Sequence, residues 1–304
     1  MDILIVKLGA LGDVINTLPL AVNLKEHFNA RIHWLIEPLS YPLVANHTCV
    51  DRTIMFDKYR WRTSLGEVRR QVRKIRYDMT LDLQRILKSG LLSMMAKTGR
   101  RIGFDNKRCK ELTWMFPFER IPPADPEKHM LSQYQEFAHY LGVPNFNVRW
   151  DIPVTGKGFA DLPAEYIVLN IGATKPANRW YPDRFASLAA AVMKRFDMPA
   201  VITGGPEDRP EAKQISGTAN SGIIDLVGKT SLKDLIEVLD GSKAVVSCDT
   251  GPMHLAVALG KEVVALFGPA NPRRTGPYRG RVIQKYLDCS PCNLRRCKSR
   301  ACMD

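Results

Sequence analysis

Short apolar runs, each followed by a stretch whose apolar residues recur at helical spacing, repeat along this chain and leave few folds open to it. Residues 3–6 (ILIV) read as a strand, and VINTLPLAVNLKEHF after them gathers its apolar side chains on one helical face. IHWLIE, TIMF and MTLDL read as further strands, with the basic amphipathic stretch SLGEVRRQVRKIRY before the last. Runs apolar on both faces, alternating with helices, specify a parallel sheet covered on both sides. Around residues 144–163, PNFNVRWDIPVTGKGFADLP loses periodicity and gathers proline and glycine, which is linker composition. The alternation then restarts with YIVLN, PAVITGG, GIIDL, AVVSC and EVVALFG. The expectation is an α/β chain of two doubly wound, Rossmann-like domains, 1–155 and 156–288, facing each other across a cleft, with a cysteine tail at 289–304. Open α/β sheets bind ligands at the carboxyl ends of their strands. Such a pair would take one substrate on each sheet.

At 304 residues the chain exceeds one ordinary core. No apolar run approaches the roughly 18 residues that span a bilayer, and Asp2, Lys7 and Asp13 crowd the first apolar run too closely for a signal-peptide core. A soluble, cytoplasmic protein is therefore expected. The net charge of +13 attracts polyanions through long-range fields, leaving nucleic acid, anionic lipid and phosphorylated sugars open as partners.

Of the seven cysteines, Cys49, Cys109 and Cys248 are scattered and read as packing residues. The segment CSPCNLRRCKSRAC instead brings Cys289, Cys292, Cys297 and Cys302 together in sequence, a thiolate set suited to tetrahedral zinc or iron. Its spacing is similar to a zinc knuckle, and Arg295, Arg296, Lys298 and Arg300 invite a nucleic-acid reading. It lacks the aromatic residue on which a base would stack. A structural metal clip is the expectation, with unliganded thiols as the alternative.

Four turns carry chemistry. KLGALGD, residues 7–13, has too few glycines for a dinucleotide fingerprint, and its Asp13 is either a helix cap or a general base at a strand's carboxyl end. NIGATKPANRWYPDRF offers Thr174, Lys175 and Arg179 before a helix starting near Pro182, an anion site or an ordinary charged loop. TGGPEDRPEAKQI places Glu207 to accept from a ribose or base, or to complement a helix dipole. In VSCDTGPMHLAVALG, Asp249 and Thr250 can cap a helix that Pro252 opens, while a cap leaves Gly251 and His254 unemployed. A phosphate-bearing ligand at the helix N-terminus uses all of them.

DTGPMHLAVALGKEVVALFGPANPRRTGPY closely resembles the donor-domain signature of the glycosyltransferase family 9 heptosyltransferases. ILIVKLGALGDVINTLP resembles their N-terminus, and LDLQRILKSGLL and RIGF are similar to segments of their acceptor half. The resemblance implies the GT-B architecture and inverting transfer of a heptose from ADP-heptose to a lipopolysaccharide inner core, with no catalytic metal or other cofactor. It implies Asp13 as the base, Asp249 on sugar hydroxyls, Thr250, Gly251 and His254 in the donor-binding turn, and Glu207 on the nucleoside. Where the family often has a lysine two residues before Trp180, this chain has Asn178, so Lys175 or Arg179 stands in for it, Arg179 being preferred. In the acceptor half Asp82, Gln84, Lys88 and Ser89 match one family motif and His129 another, with Gln133 where a basic residue is often found. The basic surface then fits an anionic glycolipid acceptor at the inner membrane, with the protein peripheral to it. Heptose transfer to a protein hydroxyl is the runner-up. A nucleic-acid-binding protein built on the four-cysteine knuckle is the alternative outside the enzymes, and the main reading expects no specific nucleic acid.

Overall fold

The computed structural model describes residues 1–218 and 222–304 and divides into two compact units, Met1–Pro153 and Val154–Asp304. Each is a parallel sheet wrapped by helices. In the first unit the chain runs β1 (Asp2–Val6), α1 (Leu11–Phe28), β2 (Arg31–Ile36), α2 (Tyr41–Val44), β3 (Arg52–Met55), α3 (Trp61–Val72), β4 (Arg76–Asp82), α4 (Leu87–Met95), β5 (Lys97–Gly103), β6 (Glu119–Arg120) and α5 (Met130–Tyr140). The second runs β7 (Ile167–Asn170), α6 (Pro182–Phe196), β8 (Ala200–Thr203), α7 (Arg209–Thr218), β9 (Ile223–Asp225), α8 (Leu232–Asp240), β10 (Ala244–Cys248), α9 (Gly251–Ala258), β11 (Glu262–Phe267), α10 (Pro272–Thr275) and β12 (Arg281–Gln284).

The strand orders are β3-β2-β1-β4-β5-β6 and β12-β11-β10-β7-β8-β9, so the two units share one winding. Each starts at the centre, winds outward and returns to the other side of its first strand. That return opens a crevice between β1 and β4, and another between β7 and β10, at the carboxyl ends of the strands. Central registers set Ile3 beside Met79 and Ile167 beside Ala244.

The centre strands are apolar throughout because helices cover both faces: Ile3, Leu4, Ile5 and Val6 are fully buried. Helix α1 lies in the same core, buried almost continuously from Gly12 to Leu24, and ends where Asn29 turns left-handed. In the second unit Leu169, Ile202 and Phe185 share a core with Leu266, Cys302 and Met303, so the cysteine tail is part of this unit. A Cβ on Gly268 would overlap Met303 and Cys302, which is why the tail lies so close over the end of β11.

Neither helix nor strand occurs between Leu141 and Tyr166, the stretch where periodicity fails. Three strands were not anticipated. β5 (KTGRRIG) has three basic residues and a single isoleucine, β6 has two residues, and β12 is an exposed edge strand, so none carries the apolar run by which the others are read. Among the described residues no helix is long and apolar enough to cross a membrane.

Candidate active site

In the first unit Asp13, Asp82 and Gln84 collect at the crevice between β1 and β4. Lys7 leaves β1 only 1% exposed, and its Nζ stands 3.3 Å from the Asp13 carboxylate, whose side chain is 39% exposed. The same ammonium donates to the Leu83 carbonyl at 3.3 Å and sits 5.3 Å from the centre of the Tyr134 ring. Burial opposes the charged form of this lysine, but Asp13 and Tyr134 outweigh it and hold its pKa above the ordinary value. Asp13 thus faces a permanent cation from below and solvent from above. It is not the helix cap: α1 is capped at Ala10 without a side-chain bond, and Asp13 lies inside the first turn.

Asp82 ends β4 and is 3% exposed. Its Oδ1 accepts from the Gln84 and Arg85 amides at 3.1 and 3.3 Å, and the Ser89 hydroxyl lies 2.8 Å away. Burial still pushes the carboxyl up to about 6, against those bonds and the more distant Lys7. Gln84 Oε1 accepts from the Leu8 and Gly9 amides at 3.2 and 3.4 Å, tying the exit of β4 to the turn that carries Asp13. Lys88 pairs with Glu37, and Lys58 approaches the same carboxylate at 3.4 Å. His129 caps α5, its Nδ1 accepting the Leu131 amide at 3.2 Å. Gln133 is buried and donates to the Pro126 and Lys128 carbonyls, so it fixes the turn before α5. Asp82, Gln84 and Ser89 are therefore a bracket under the site, and Lys88 is the outward-reaching member of their motif.

In the second unit a cavity of about 210 Å³ opens over the carboxyl ends of β7, β8 and β10. Thr174, Glu207 and Thr250 line it together with Asn170, Gly172, Gly204, Ser231 and Pro252. Lys175, Asp249, Gly251 and His254 do not line it. The N-termini of α8, where the Ser231 hydroxyl accepts the Asp234 amide, and of α9, where Thr250 holds the N-cap position without a side-chain bond, both reach its wall. Two helix starts at one cavity favour a negatively charged ligand. The glycines are required by packing, since a Cβ on Gly204 would come within 2.8 Å of Asp208 Oδ2. Asp249, just past β10, accepts from the buried Asn178 amide at 3.1 Å. His254 is nearly buried in the first turn of α9.

The preference for Arg179 as the loop's phosphate cation is not supported. Its guanidinium contacts Asp208 at 2.6 Å and Glu211 at 3.0 Å and donates to the Ala173 carbonyl at 3.1 Å. It clamps the donor loop to α7. Burial raises the Asp208 carboxyl, with the Gly205 amide and Arg179 opposing it. Lys175, half-buried and without an ion pair among the described residues, is the cation this loop leaves available.

The four cysteines of the tail lie in the second unit. Among the described residues no three His, Cys, Asp or Glu side chains are placed to hold a metal ion. All four thiols are free, Cys289 exposed, Cys302 buried, and Cys292 and Cys297 partly covered. They share a neighbourhood, because the Cys302 thiol is raised by burial first and then by Cys292, Cys297 and Cys289. Nor does the tail stand apart as a knuckle: Ala177 donates to the Arg295 carbonyl, Asn293 to that of Pro269, and Arg300 to that of Arg179.

Lys7, Glu37 and Ser231 were not singled out from the sequence. Lys7 carried a signal, as a charge directly after a fully apolar strand. Glu37 had a weaker one, an acid at the end of IHWLIE.

Two doubly wound parallel sheets, with a carboxylate beside a cation at one switch point and an anion-accepting cavity at the other, define a glycosyltransferase of the GT-B class. The chain belongs to glycosyltransferase family 9 (heptosyltransferase), whose model matches residues 65–302. It is 29% identical to lipopolysaccharide heptosyltransferase 1 of Pseudomonas aeruginosa, covering 98% of this chain and 87% of that protein. It is 25% identical to the lipopolysaccharide core heptosyltransferase OpsX of Haemophilus influenzae over 93% of this chain and 84% of that one. The structure of the E. coli heptosyltransferase WaaC with ADP superimposes with a TM-score of 0.80 at 25% identity, covering 93% of this chain and 92% of that one. The same enzyme with ADP-2-deoxy-2-fluoro heptose gives 0.78.

Proposed function

We propose that this protein transfers a heptose from ADP-heptose, with inversion, to a hydroxyl of an anionic lipopolysaccharide inner-core acceptor. Asp13 is the general base, and the second unit binds the donor. The observation that carries the reading is the solvent-facing Asp13 carboxylate held 3.3 Å from a buried, protonated Lys7. An adjacent cation keeps an acid ionised and ready to accept a proton.

The acceptor hydroxyl gives its proton to Asp13 as its oxygen attacks the anomeric carbon. The bond from that carbon to the diphosphate oxygen breaks, and ADP departs with the electron pair. Charge growing on the diphosphate is met by Lys175 and by the N-terminus of α9, a helix end contributing about 0.3–2 kcal/mol. Glu207 on the cavity wall accepts from a ribose hydroxyl, and Asp249, steadied by Asn178, accepts from the heptose. The cavity is smaller than the roughly 300–1,000 Å³ of a whole ligand site, so it seats one end of the nucleotide sugar. The names of the relatives support a lipopolysaccharide acceptor, and so does the net charge of +13.

The test is calorimetric binding and product analysis with ADP-heptose and heptose-deficient lipopolysaccharide. Asp13→Ala should bind donor and lose turnover, while Asp249→Ala should bind donor weakly. Turnover by Asp13→Ala would remove the base assignment, and preference for another nucleotide sugar would remove the heptose. Label arriving on protein instead of glycolipid would remove the acceptor.

A further inference from the structure

The first unit exposes an apolar surface that its site does not use. On α4, Leu87, Leu91 and Met94 are exposed at positions four and seven residues apart, which is one helical face. The opposite face, with Ser89, Gly90, Leu92 and Ser93, is buried. Beside it a short turn exposes Leu112, Trp114 and Met115, the last at 66%. Two contacts join turn and helix: Leu87 donates its amide to Glu111 at 3.2 Å, and the Phe116 ring occupies the space where a Cβ on Gly90 would stand. Tyr59, at 87%, and Trp61 are also exposed, and the neighbouring Lys58 shares Glu37 with Lys88 of α4. Single exposed apolar residues need no explanation, but a group on one helix face and on the turn bonded to it does.

Its electrostatic setting identifies the partner. Residues 58–116 hold sixteen lysines and arginines against five acids, so this fifth of the sequence carries eleven of the thirteen net positive charges. Arg60, Arg62, Lys107 and Lys110 are exposed within the segments that bear the apolar residues. Aromatic and aliphatic side chains ringed by cations suit the boundary between headgroups and acyl chains of an anionic bilayer.

We infer that the face made by α4, the 112–115 turn and the start of α3 docks this protein on an anionic lipid surface. Leu91 and Trp114 enter the interface, and the surrounding lysines and arginines sit on lipid headgroups. The idea extends the reading of a lipid-borne acceptor, yet its test needs no acceptor. Failure here would leave the transfer chemistry standing.

The experiment is flotation of the full chain with vesicles of phosphatidylcholine alone or with phosphatidylglycerol, at low and high salt. Light scattering of the free protein accompanies it. The parent should float with the anionic vesicles, not the neutral ones, and release as salt rises. Leu91→Ser/Trp114→Ser should bind about tenfold or more weakly while keeping its circular dichroism and ADP affinity. Lys107→Glu/Lys110→Glu should lose binding mainly at low salt. Absence of binding to anionic vesicles, or full binding by the apolar double variant, would overturn the inference. So would a parent dimer that the apolar variant dissolves, since a second copy would then cover the face. Single-stranded RNA binding that exceeds vesicle binding and ignores the apolar variant would overturn it too.

Discussion

Replacing Asp82 by asparagine should make the protein more stable at neutral pH, although it removes a charge beside the active site. The carboxyl is 3% exposed and titrates at about 6 instead of 3.8, because burial opposes its ionisation more than Ser89 and two amides favour it. Between pH 4 and 6 the folded protein therefore keeps a proton that the unfolded chain releases. Stability falls as pH rises through that window, and the full penalty stands above it. The difference, at 1.36 kcal/mol per pH unit, is about 3 kcal/mol. Asparagine can preserve the geometry: its carbonyl takes the Gln84 and Arg85 amides, and its amide donates to Ser89. Lys7 keeps its carboxylate partner, Asp13. Urea unfolding followed by tryptophan emission suits the experiment, since Trp34, Trp61, Trp114 and Trp150 lie in the first unit and only Trp180 in the second. Asp82→Asn should gain up to about 3 kcal/mol at pH 7.5 and about half of that at pH 5. A loss at pH 7.5, or an equal change at both values, would refute the account.

Lys7→Met keeps the side-chain volume and removes the cation under Asp13, so kcat should fall and the acid limb of the rate profile move to higher pH, with donor affinity unchanged by calorimetry. Asn178→Ala frees the Asp249 carboxylate from its amide and should weaken donor binding by about 0.5–1.5 kcal/mol, leaving the pH profile in place. Gly90→Ala must displace the Phe116 ring and should destabilise the first unit by about 1–3 kcal/mol, read from its urea midpoint. Arg179→Ala leaves the buried Asp208 without its cation, so it should lower stability more than it alters phosphate affinity; the reverse would restore Arg179 to the phosphate site.

The fold was legible wherever a strand is buried on both faces, because such a strand cannot tolerate charge. β1, β2, β10 and β11 announce themselves in this way, whereas β5 and β12 run near the rim and keep arginines. The site was legible in part for the same reason. Asp13, Glu207 and Asp249 follow strands at their carboxyl ends, where a parallel sheet delivers its functional groups. Sequence could not say which charges are already spent. Arg179 and Lys175 look alike in a loop, and only Asp208, just before α7, and Glu211 within it decide between them. Nor could spacing tell a bracket from a contact: Asp82 and Ser89 bond to each other, not outward.

The shared winding also governs how the chain is made. Ile3 cannot meet Met79, nor Ile167 meet Ala244, until a further quarter of the sequence has been synthesised. At about 5–20 residues per second, the first strand of each unit waits on the order of 4–15 s with one edge unpaired. During that interval a run such as ILIV is a target for chaperones and for neighbouring nascent chains. A slowly translated message should therefore lower the yield of folded protein, through the very strands that later make the two centres rigid.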